Sequence, residues 1–272
     1  MRMNRIDRIF ADLRGAGRRA LMPYLTAGAP DLDTTASLLP ALERAGAVVC
    51  ELGIPFSDPI ADGPIIQASM AAALAKGVRP AGVLEMVSKL RSKLSMGLVA
   101  MVSYSILYRC GPIDFMKDAK AAGFDGLIVP DLPVEESASF LEAAAGLNLV
   151  CSMLVAPTTP IDRAQRIAQA CSGFVYVLSR AGLTGERATL PPQLSARIER
   201  LRSVTDLPMA VGFGISNRDQ VQQVVRIADA AIVGSAIMRR VLDNAKQPNG
   251  DLVDQVEAFV ADLAGGLEVQ DT

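Results

Sequence analysis

Glu51 and Asp62 are two carboxylates in one short segment that could support proton chemistry. Glu51 lies within the apolar run AVVCELGIP, and in a strand it shares a face with Ala47 and Val49. Burial among apolar residues raises the pKa of a carboxyl group toward the range useful for acid and base catalysis. The alternative is a structural glutamate that pairs with a buried Arg or Lys.

Asp58 and Asp62 lie in the loop PFSDPIADGP, whose prolines and glycine predict an ordered loop of defined shape. Asp62 could therefore face Glu51 across a cavity. For each aspartate taken singly, a role in a turn or a helix cap is the commoner one. Asp131, in VPDLPVEES, is open to the same two interpretations, catalytic or capping.

The chain contains no histidine, the side chain that most often acts as a general base. Proton transfer must therefore use carboxylates, Tyr, Lys or Cys, and nucleophile–His pairs are excluded. The cysteines Cys50, Cys110, Cys151 and Cys171 form no CxxC pair. We therefore expect no metal site and interpret all four as reduced packing residues.

Glycines near the end of the chain indicate a phosphate site. GFGIS at residues 212–216 and the pair Gly234 and Ser235 each follow an apolar run and precede a helix start. Backbone N–H groups at helix N-termini bind phosphate, although tight turns without a ligand are the alternative. The loop SRAGLTGERATLPP is long enough to close over a site as a lid and could add Gly185 as a phosphate ligand; a surface loop without a catalytic part is the other interpretation.

The elements that would position these residues follow from apolar runs that alternate with segments of helical period. The predicted strands are residues 20–25, 48–53, 97–102, 126–129, 150–155, 174–178, 209–212 and 230–233. Eight such units predict an α/β fold, a single (β/α)8 TIM barrel, with extra N-terminal and C-terminal helices at residues 5–13 and 252–263. Without a linker, residues 1–272 are expected to form one domain.

Capping residues and prolines predict helix starts at residues 31–33, 80, 112, 133, 160 and 216. In a barrel of this kind the C-terminal ends of the strands and the loops after them carry the catalytic groups. Glu51, Asp62 and the glycine pairs would all lie at that end.

Overall composition excludes several classes of protein. A formal net charge of −2 and a pI near 5.4 lack the basic excess of a nucleic-acid binder. Residues 1–14 alternate apolar and charged side chains, unlike a signal peptide, and the most apolar stretch, residues 97–108, is too short to cross a bilayer. We therefore expect a cytosolic protein.

Five motifs, in order along the chain, resemble those of the tryptophan synthase alpha subunit family: ELGIPFSDPIADGPIIQ, VPDLPVEES, LSRAGLTG, GFGIS and VGSAI. The resemblance runs from residue 5 to residue 263. It implies a lyase of tryptophan biosynthesis that splits indole-3-glycerol phosphate into indole and glyceraldehyde 3-phosphate by a retro-aldol reaction.

The resemblance also implies a role for individual residues. Glu51 would be the general acid and base, and Asp62 would stabilise the positive charge that develops at the indole nitrogen. The residues implied to hold the phosphate are Gly185, Gly214, Gly234 and Ser235. Those implied for the indole pocket and lid are Tyr176, Thr184 and Phe213.

A partner is implied as well. Members of the family dock on a beta subunit that contains pyridoxal phosphate (PLP), which suggests an alpha2beta2 heterotetramer with Pro55 and Asp58 at the contact. The PLP belongs to the beta subunit, so this chain is expected to need neither cofactor nor metal.

Some positions depart from the family pattern: Ala29, Ser103, Ser105 and Ile106 replace residues that relatives commonly carry. Because the segment around Ser103 is expected near the indole pocket and the partner surface, pocket shape and coupling to the partner could differ. Two alternatives remain on the same fold, a stand-alone indole-glycerol-phosphate lyase and a catalytically impaired activator of the beta subunit. Another phosphate-binding barrel, such as a sugar-phosphate isomerase, would lack the loop around Asp62.

Overall fold

The computed structural model of the chain describes residues 3–60, 62–179, 191–212, 214–246 and 251–268. Short strands and helices alternate along these residues. The strands are β1 (Ala20–Thr26), β2 (Val49–Gly53), β3 (Gly97–Met101), β4 (Gly126–Ile128), β5 (Val150–Ser152), β6 (Leu154–Val155), β7 (Val175–Leu178), β8 (Met209–Gly212) and β9 (Ala230–Val233).

The helices follow the strands and cover the outside of the sheet. They are α1 (Arg5–Gly15), α2 (Leu32–Arg44), α3 (Pro64–Ala75), α4 (Pro80–Leu90), α5 (Tyr104–Cys110), α6 (Pro112–Ala122), α7 (Ala138–Gly146), α8 (Ile161–Ala170), α9 (Leu194–Arg202), α10 (Arg218–Val225), α11 (Ser235–Asn244) and α12 (Leu252–Ala264). The predicted N-terminal and C-terminal helices are α1 and α12.

The strands form one parallel sheet in the order β5-β4-β3-β2-β1-β9-β8-β7-β6. The two ends of this order, β5 and β6, are separated in the chain only by Met153, whose carbonyl accepts a hydrogen bond from the Tyr176 backbone N–H at 3.2 Å. The sheet therefore curls into a nearly closed barrel, which confirms the predicted fold.

The predicted single strand at residues 150–155 is wrong in one respect, because the described residues form two strands there. β5 pairs only with β4, and β6 pairs only with β7. The chain exchanges one neighbour for the other at Met153, so the described part contains nine strands instead of eight.

Several predicted boundaries also shift, because backbone hydrogen bonds between strands, and capping hydrogen bonds at helix starts, set the ends of these elements more than apolar character does. β1 continues to Thr26, which pairs with Gly53. Pro133 precedes a 3-10 turn, Val134–Glu136, and α7 begins only at Ala138. Asn217, not Ser216, caps α10, since its side chain accepts the Gln220 N–H at 2.9 Å.

Two apolar cores separate the inside of the barrel from its outside. Cys50 and Leu52 belong to the outer core between the sheet and the helices, whereas Val49 belongs to the inner core. Helix α1 closes the floor of the barrel, where the ring centroids of Phe10 and Phe174 are 6.0 Å apart. By the alternation of side chains, Glu51 points into the barrel on the side of Val49.

Cys110, the last residue of α5, is exposed, so the packing role predicted for it is wrong; Cys50 and Cys151 are buried, and all four cysteines are free. Within the described ranges, no helix combines the length and the apolar character required to cross a membrane.

Candidate active site at the barrel mouth

A cavity of about 1030 Å³ opens at the C-terminal ends of the strands. Its walls come from residues of several strands and the loops after them, including Tyr24 on β1 and Tyr176 on β7. Because all strands are parallel, their C-terminal ends meet at this single face. The cavity is large enough to enclose a small organic ligand.

Glu51 lies buried beneath this cavity. Its solvent exposure is 0%, and neither carboxylate oxygen has a hydrogen-bond partner among the described residues. Burial raises the pKa of the Glu51 carboxyl group well above its ordinary value. No cation among the described residues pairs with Glu51, so no ion pair within the described part of the chain accounts for its burial.

Asp62 lines the cavity and is partly exposed. Burial raises the pKa of its carboxyl group to about 6. The loop that carries it is ordered by contacts of its own, because Asp62 N–H donates to the Pro59 carbonyl at 3.0 Å and Gln67 Nε2 on α3 donates to the Asp62 carbonyl at 2.7 Å. Sequence reasoning did not single out Gln67, although it closes the ELGIPFSDPIADGPIIQ motif.

Tyr24 and Tyr176 stand close to both carboxylates. Burial, and then the charges of Glu51 and Asp62, raise the pKa of Tyr176, and the same carboxylates contribute to the raised pKa of Tyr24. A side chain at Gly53 would collide with the Tyr24 hydroxyl, and one at Gly212 would collide with the Tyr176 hydroxyl. The two glycines therefore leave the space that the two hydroxyl groups occupy.

Tyr176 was expected at the cavity, whereas Tyr24 was missed by the sequence analysis. The available signal was strand parity. Tyr24 alternates with Ala20 and Met22, both members of the inner core, so it too faces the inside of the barrel.

Gly214, Gly234 and Ser235 line the same cavity at the ends of β8 and β9. Gly214 has a φ of +89°, a conformation that favours glycine, and Ser235 is the first residue of α11, after the cap residue Gly234. The N-terminus of α11 therefore meets the cavity with unpaired backbone N–H groups, a favourable place for an anion.

Among the described residues that line the cavity, Arg163 is the single cation. Its guanidinium donates to both carboxylate oxygens of Glu135, at 3.0 and 2.9 Å. Among the described lining residues, a phosphate at the β8 and β9 ends would therefore meet backbone N–H groups and no lysine or arginine other than Arg163.

Three predicted site residues, Thr184, Gly185 and Phe213, lie outside the described residues. The two residues expected at a partner contact differ in exposure, because Asp58 is exposed and also lines the cavity, whereas Pro55 is buried. Pro55 thus shapes the loop from within.

Asp131 has the capping role that was one of its two interpretations. Its carboxylate accepts hydrogen bonds from Ser103 Oγ and the Tyr104 N–H, each at 2.7 Å, at the start of α5. Asp131 follows β4 whereas α5 follows β3, so this cap ties two neighbouring loops together at the cavity wall.

The described residues contain no group of three or more His, Cys, Asp or Glu side chains arranged to hold a metal ion.

Comparison with known proteins adds an independent line of evidence. Residues 10–267 match the family model described as tryptophan synthase alpha chain. The tryptophan synthase alpha chain of Microcystis aeruginosa is 42% identical over 267 residues, which covers 98% of this chain and 100% of that protein. That of a Synechococcus species is 46% identical over 257 residues, with coverage of 93% and 94%.

Solved structures are similar throughout their length. A structure of tryptophan synthase from Mycobacterium tuberculosis matches with a TM-score of 0.89 at 33% identity, covering 99% of this chain and 100% of that one. Tryptophan synthase subunit alpha from Legionella pneumophila matches with a TM-score of 0.89 at 34% identity, with coverage of 98% and 99%.

Proposed function

The chain belongs to the tryptophan synthase alpha chain family and is a lyase of tryptophan biosynthesis, and on this premise we propose that Glu51 and Asp62 cleave indole-3-glycerol phosphate into indole and glyceraldehyde 3-phosphate. The observation that carries the proposal is that Glu51 and Asp62, both with raised pKa values, lie at one cavity whose rim also exposes the N-terminus of α11.

The strand order supports one orientation of the substrate. A phosphate at the ends of β8 and β9 lies diametrically opposite β3 and β4 in the ring. The indole ring would then extend across the mouth, past the carboxylates, toward apolar wall residues such as Met101 and Leu154. The polar end of the substrate is held by backbone N–H groups and the aromatic end by apolar contacts.

A single carboxyl group can balance the protons of the cleavage. Glu51, whose acid form is favoured because burial raises its pKa, gives its proton to indole C3. The resulting carboxylate removes the proton from the hydroxyl group on the adjacent glycerol carbon. The bond between that carbon and C3 then breaks, its electron pair returns to the indole ring, and Glu51 is protonated again.

Asp62 would act through its charge. Protonation of C3 places positive charge on the indole nitrogen, and an ionised carboxylate beside the N–H stabilises that cation. Since these steps transfer only protons between the substrate and Glu51, we propose that the chain uses neither a cofactor nor a metal, and that PLP belongs to the partner alone.

Membership of this family implies a beta-subunit partner. We propose an alpha2beta2 heterotetramer in which the loops around the mouth meet the partner. Exposed apolar side chains support this, since Ile60 in the loop after β2 is 84% exposed and Tyr108 on α5 is 75% exposed. Asp58 lies in the same loop as Ile60, consistent with a place at the contact.

The test is indole release from indole-3-glycerol phosphate, measured for the wild type, Glu51→Gln and Asp62→Asn, each with and without a beta subunit. We expect Glu51→Gln to lose at least a hundredfold in kcat, because it removes the group that moves both protons. Glu85→Gln is the matched control, since Glu85 lies exposed on α4 and pairs with Lys89.

Equal rates for the wild type and Glu51→Gln would overturn the assignment. The comparisons do not favour the two alternatives, and the same assay separates them. A wild-type rate that stays high and does not respond to the partner would indicate a stand-alone lyase. Activation of the beta subunit that survives Glu51→Gln, together with no indole release by the wild type, would indicate a non-catalytic activator.

A further inference from the structure

Three buried hydroxyl groups form a chain beside the candidate site. The Tyr24 hydroxyl oxygen lies 3.3 Å from Thr26 Oγ1, which lies 2.6 Å from Ser69 Oγ on α3. Ser69 Oγ in turn donates to the carbonyl of Ile66 at 2.7 Å. All three side chains are buried, so water does not compete for these hydrogen bonds.

The Ile66 carbonyl, at the end of this series of hydroxyl groups, determines which hydroxyl donates to which. A carbonyl oxygen can only accept, and each hydroxyl has one proton to donate. Ser69 gives its proton to Ile66, so it accepts from Thr26, which in turn accepts from Tyr24. The proton of Tyr24 is therefore directed away from the carboxylates, and a lone pair of its oxygen remains available on their side.

The Tyr24 hydroxyl lies next to Gly53, two residues beyond Glu51 on β2. Tyr24 and Glu51 are paired residues of β1 and β2, and the Tyr24 hydroxyl occupies the space that a side chain at Gly53 would fill. Gly53 is the next inward-facing position after Glu51, about 6.6 Å farther along the strand. In the structure the Glu51 carboxyl group and the Tyr24 hydroxyl are not hydrogen-bonded, but an extended glutamate side chain can cover that distance, so a rotation of the Glu51 side chain would bring its carboxyl group to the Tyr24 oxygen.

Few other polar groups face Glu51 in the described part of the chain. Asp62 comes from the loop after β2 and Tyr176 comes from β7. The neighbouring Cys50 belongs to the outer core on the opposite face of β2. No lysine or arginine among the described residues lines this part of the cavity, and both carboxylate oxygens of Glu51 lack a partner in the described structure.

We propose that Tyr24 is a positioning residue for Glu51. The Tyr24 hydroxyl donates its proton to Thr26, which donates to Ser69, and its oxygen therefore accepts the hydrogen bond of the protonated Glu51 carboxyl group. The bond favours the acid form of Glu51 and holds it on the side of the cavity. When Glu51 gives its proton to the substrate, the Tyr24 lone pair faces a carboxylate, which favours recovery of a proton from the substrate hydroxyl. This last role rests on the proposed function, whereas the hydrogen bond does not.

The first test measures the pKa of Glu51 without catalysis. Urea titrations between about pH 5 and pH 10 give the unfolding free energies of the wild type and Glu51→Gln. The difference between the two changes with pH until the pH reaches the pKa of Glu51 in the folded state, and is constant above it. We expect Tyr24→Phe, which keeps the ring and removes the acceptor, to lower that pKa by about half a unit to one unit. The alkaline limb of kcat/KM for indole release should move in the same direction.

A second variant tests the direction of the hydrogen bonds between the three hydroxyl groups. In Ser69→Ala, Thr26 loses its acceptor and can donate to Tyr24, whose proton then turns toward Glu51 and stabilises the carboxylate. We expect a larger decrease in the pKa of Glu51 than in Tyr24→Phe. In the double variant Tyr24→Phe and Ser69→Ala, the second substitution should add nothing, because the hydroxyl through which it acts is absent.

Ser37→Ala is the control, since Ser37 is exposed on α2, where its hydroxyl donates to the Asp33 carbonyl, and its replacement should leave the pKa of Glu51 unchanged. An unchanged pKa in Tyr24→Phe would overturn the proposal, and so would additive shifts in the double variant. Failure of the proposed function has a different signature. In that case the wild type would release no indole, while the pKa shifts measured through unfolding would persist.

Discussion

At the scale of single residues, the ionisation of Asp62 should set the acid limit of the reaction. Its carboxyl group, with a pKa raised to about 6 by burial, is neutral below that pH and cannot stabilise a developing cation. We therefore expect kcat/KM for indole release to rise with pH through about 6. Asp62→Asn should lower the rate by roughly a hundredfold to a thousandfold and abolish this limb. An acid limb that persists in Asp62→Asn would assign it to another group.

Glu51 should make the folded state less stable as the pH rises. Its pKa is raised in the folded state, so between its ordinary value and its raised value the folded protein holds a proton that the unfolded chain has lost. The free energy of unfolding then falls with increasing pH over that window. In Glu51→Gln this pH-dependent decrease in the free energy of unfolding is absent. We therefore expect the free energy of unfolding of Glu51→Gln, minus that of the wild type, to be larger at pH 8 than at pH 5 in urea titrations.

Parallel stability curves for the wild type and Glu51→Gln would show that Glu51 ionises as easily in the folded as in the unfolded chain. Glu85→Gln again provides the control. Its carboxylate is exposed, and the hydrogen bond from Lys89 lowers its pKa instead of raising it. The stability difference between Glu85→Gln and the wild type therefore changes only below the ordinary pKa of a glutamate, and it should stay constant between pH 5 and pH 8.

At the scale of elements, two aspartates that accept hydrogen bonds at helix starts, Asp31 as the N-cap residue of α2 and Asp131 from the loop after β4, should differ in their effect on the site. Asp131 caps α5 at the cavity wall, and Asp31 caps α2 by accepting the Thr34 N–H at 2.7 Å. Replacement of either by Ala should cost about 1 kcal/mol in unfolding free energy. Only Asp131→Ala should also raise the KM for indole-3-glycerol phosphate, because Asp131 lines the cavity and Asp31 does not.

Equal KM values for the two cap variants would show that the start of α5 does not shape the substrate pocket. The comparison also tests the unusual segment at Ser103 and Ser105. Ser103 donates to Asp131, and both serines line the cavity. Ser103, one of the departures from the family pattern, therefore joins the loops after β3 and β4.

At the scale of the whole molecule, the two ends of the barrel should separate stability from activity. At the end opposite the cavity, Asp125 accepts the Leu98 N–H at 3.0 Å and forms ion pairs with Arg5 and Arg91 at 3.5 and 3.4 Å. Asp125→Ala leaves the half-buried Arg91 without its carboxylate partner and the Leu98 N–H without its acceptor, and it should cost about 2–3 kcal/mol in urea-induced unfolding. Activity per folded molecule should remain within about twofold, because a residue at this end of the barrel contributes chiefly to stability.

A decrease in kcat for fully folded Asp125→Ala, comparable with that of Asp62→Asn, would mean that the floor of the barrel is coupled to its mouth. Arg44→Ala is a matched control on the outer surface. Arg44 pairs with Glu257 between α2 and α12, and the loss of an exposed pair should cost about 1 kcal/mol or less.

The sequence by itself was sufficient wherever a local pattern has one structural outcome. Strand parity predicted that Glu51 faces the barrel interior, the prolines around Asp62 predicted an ordered loop, and the alternation of apolar runs predicted the barrel. The absence of histidine left the proton chemistry to a few residue types, and the ordered motifs identified the family. These features depend on near neighbours in the chain, which is why they could be inferred without coordinates.

Only the tertiary structure decided which distant groups meet. The change of partner at Met153, the cap that Asp131 provides for α5, and the position of the Tyr24 hydroxyl next to Gly53 all join residues from different strands or helices. Hydrogen-bond geometry and steric fit between such elements set these contacts, and neither is encoded in the period of any one segment. The sequence therefore determined that Glu51 lies inside the barrel, and the packing around it determined its burial and its raised pKa.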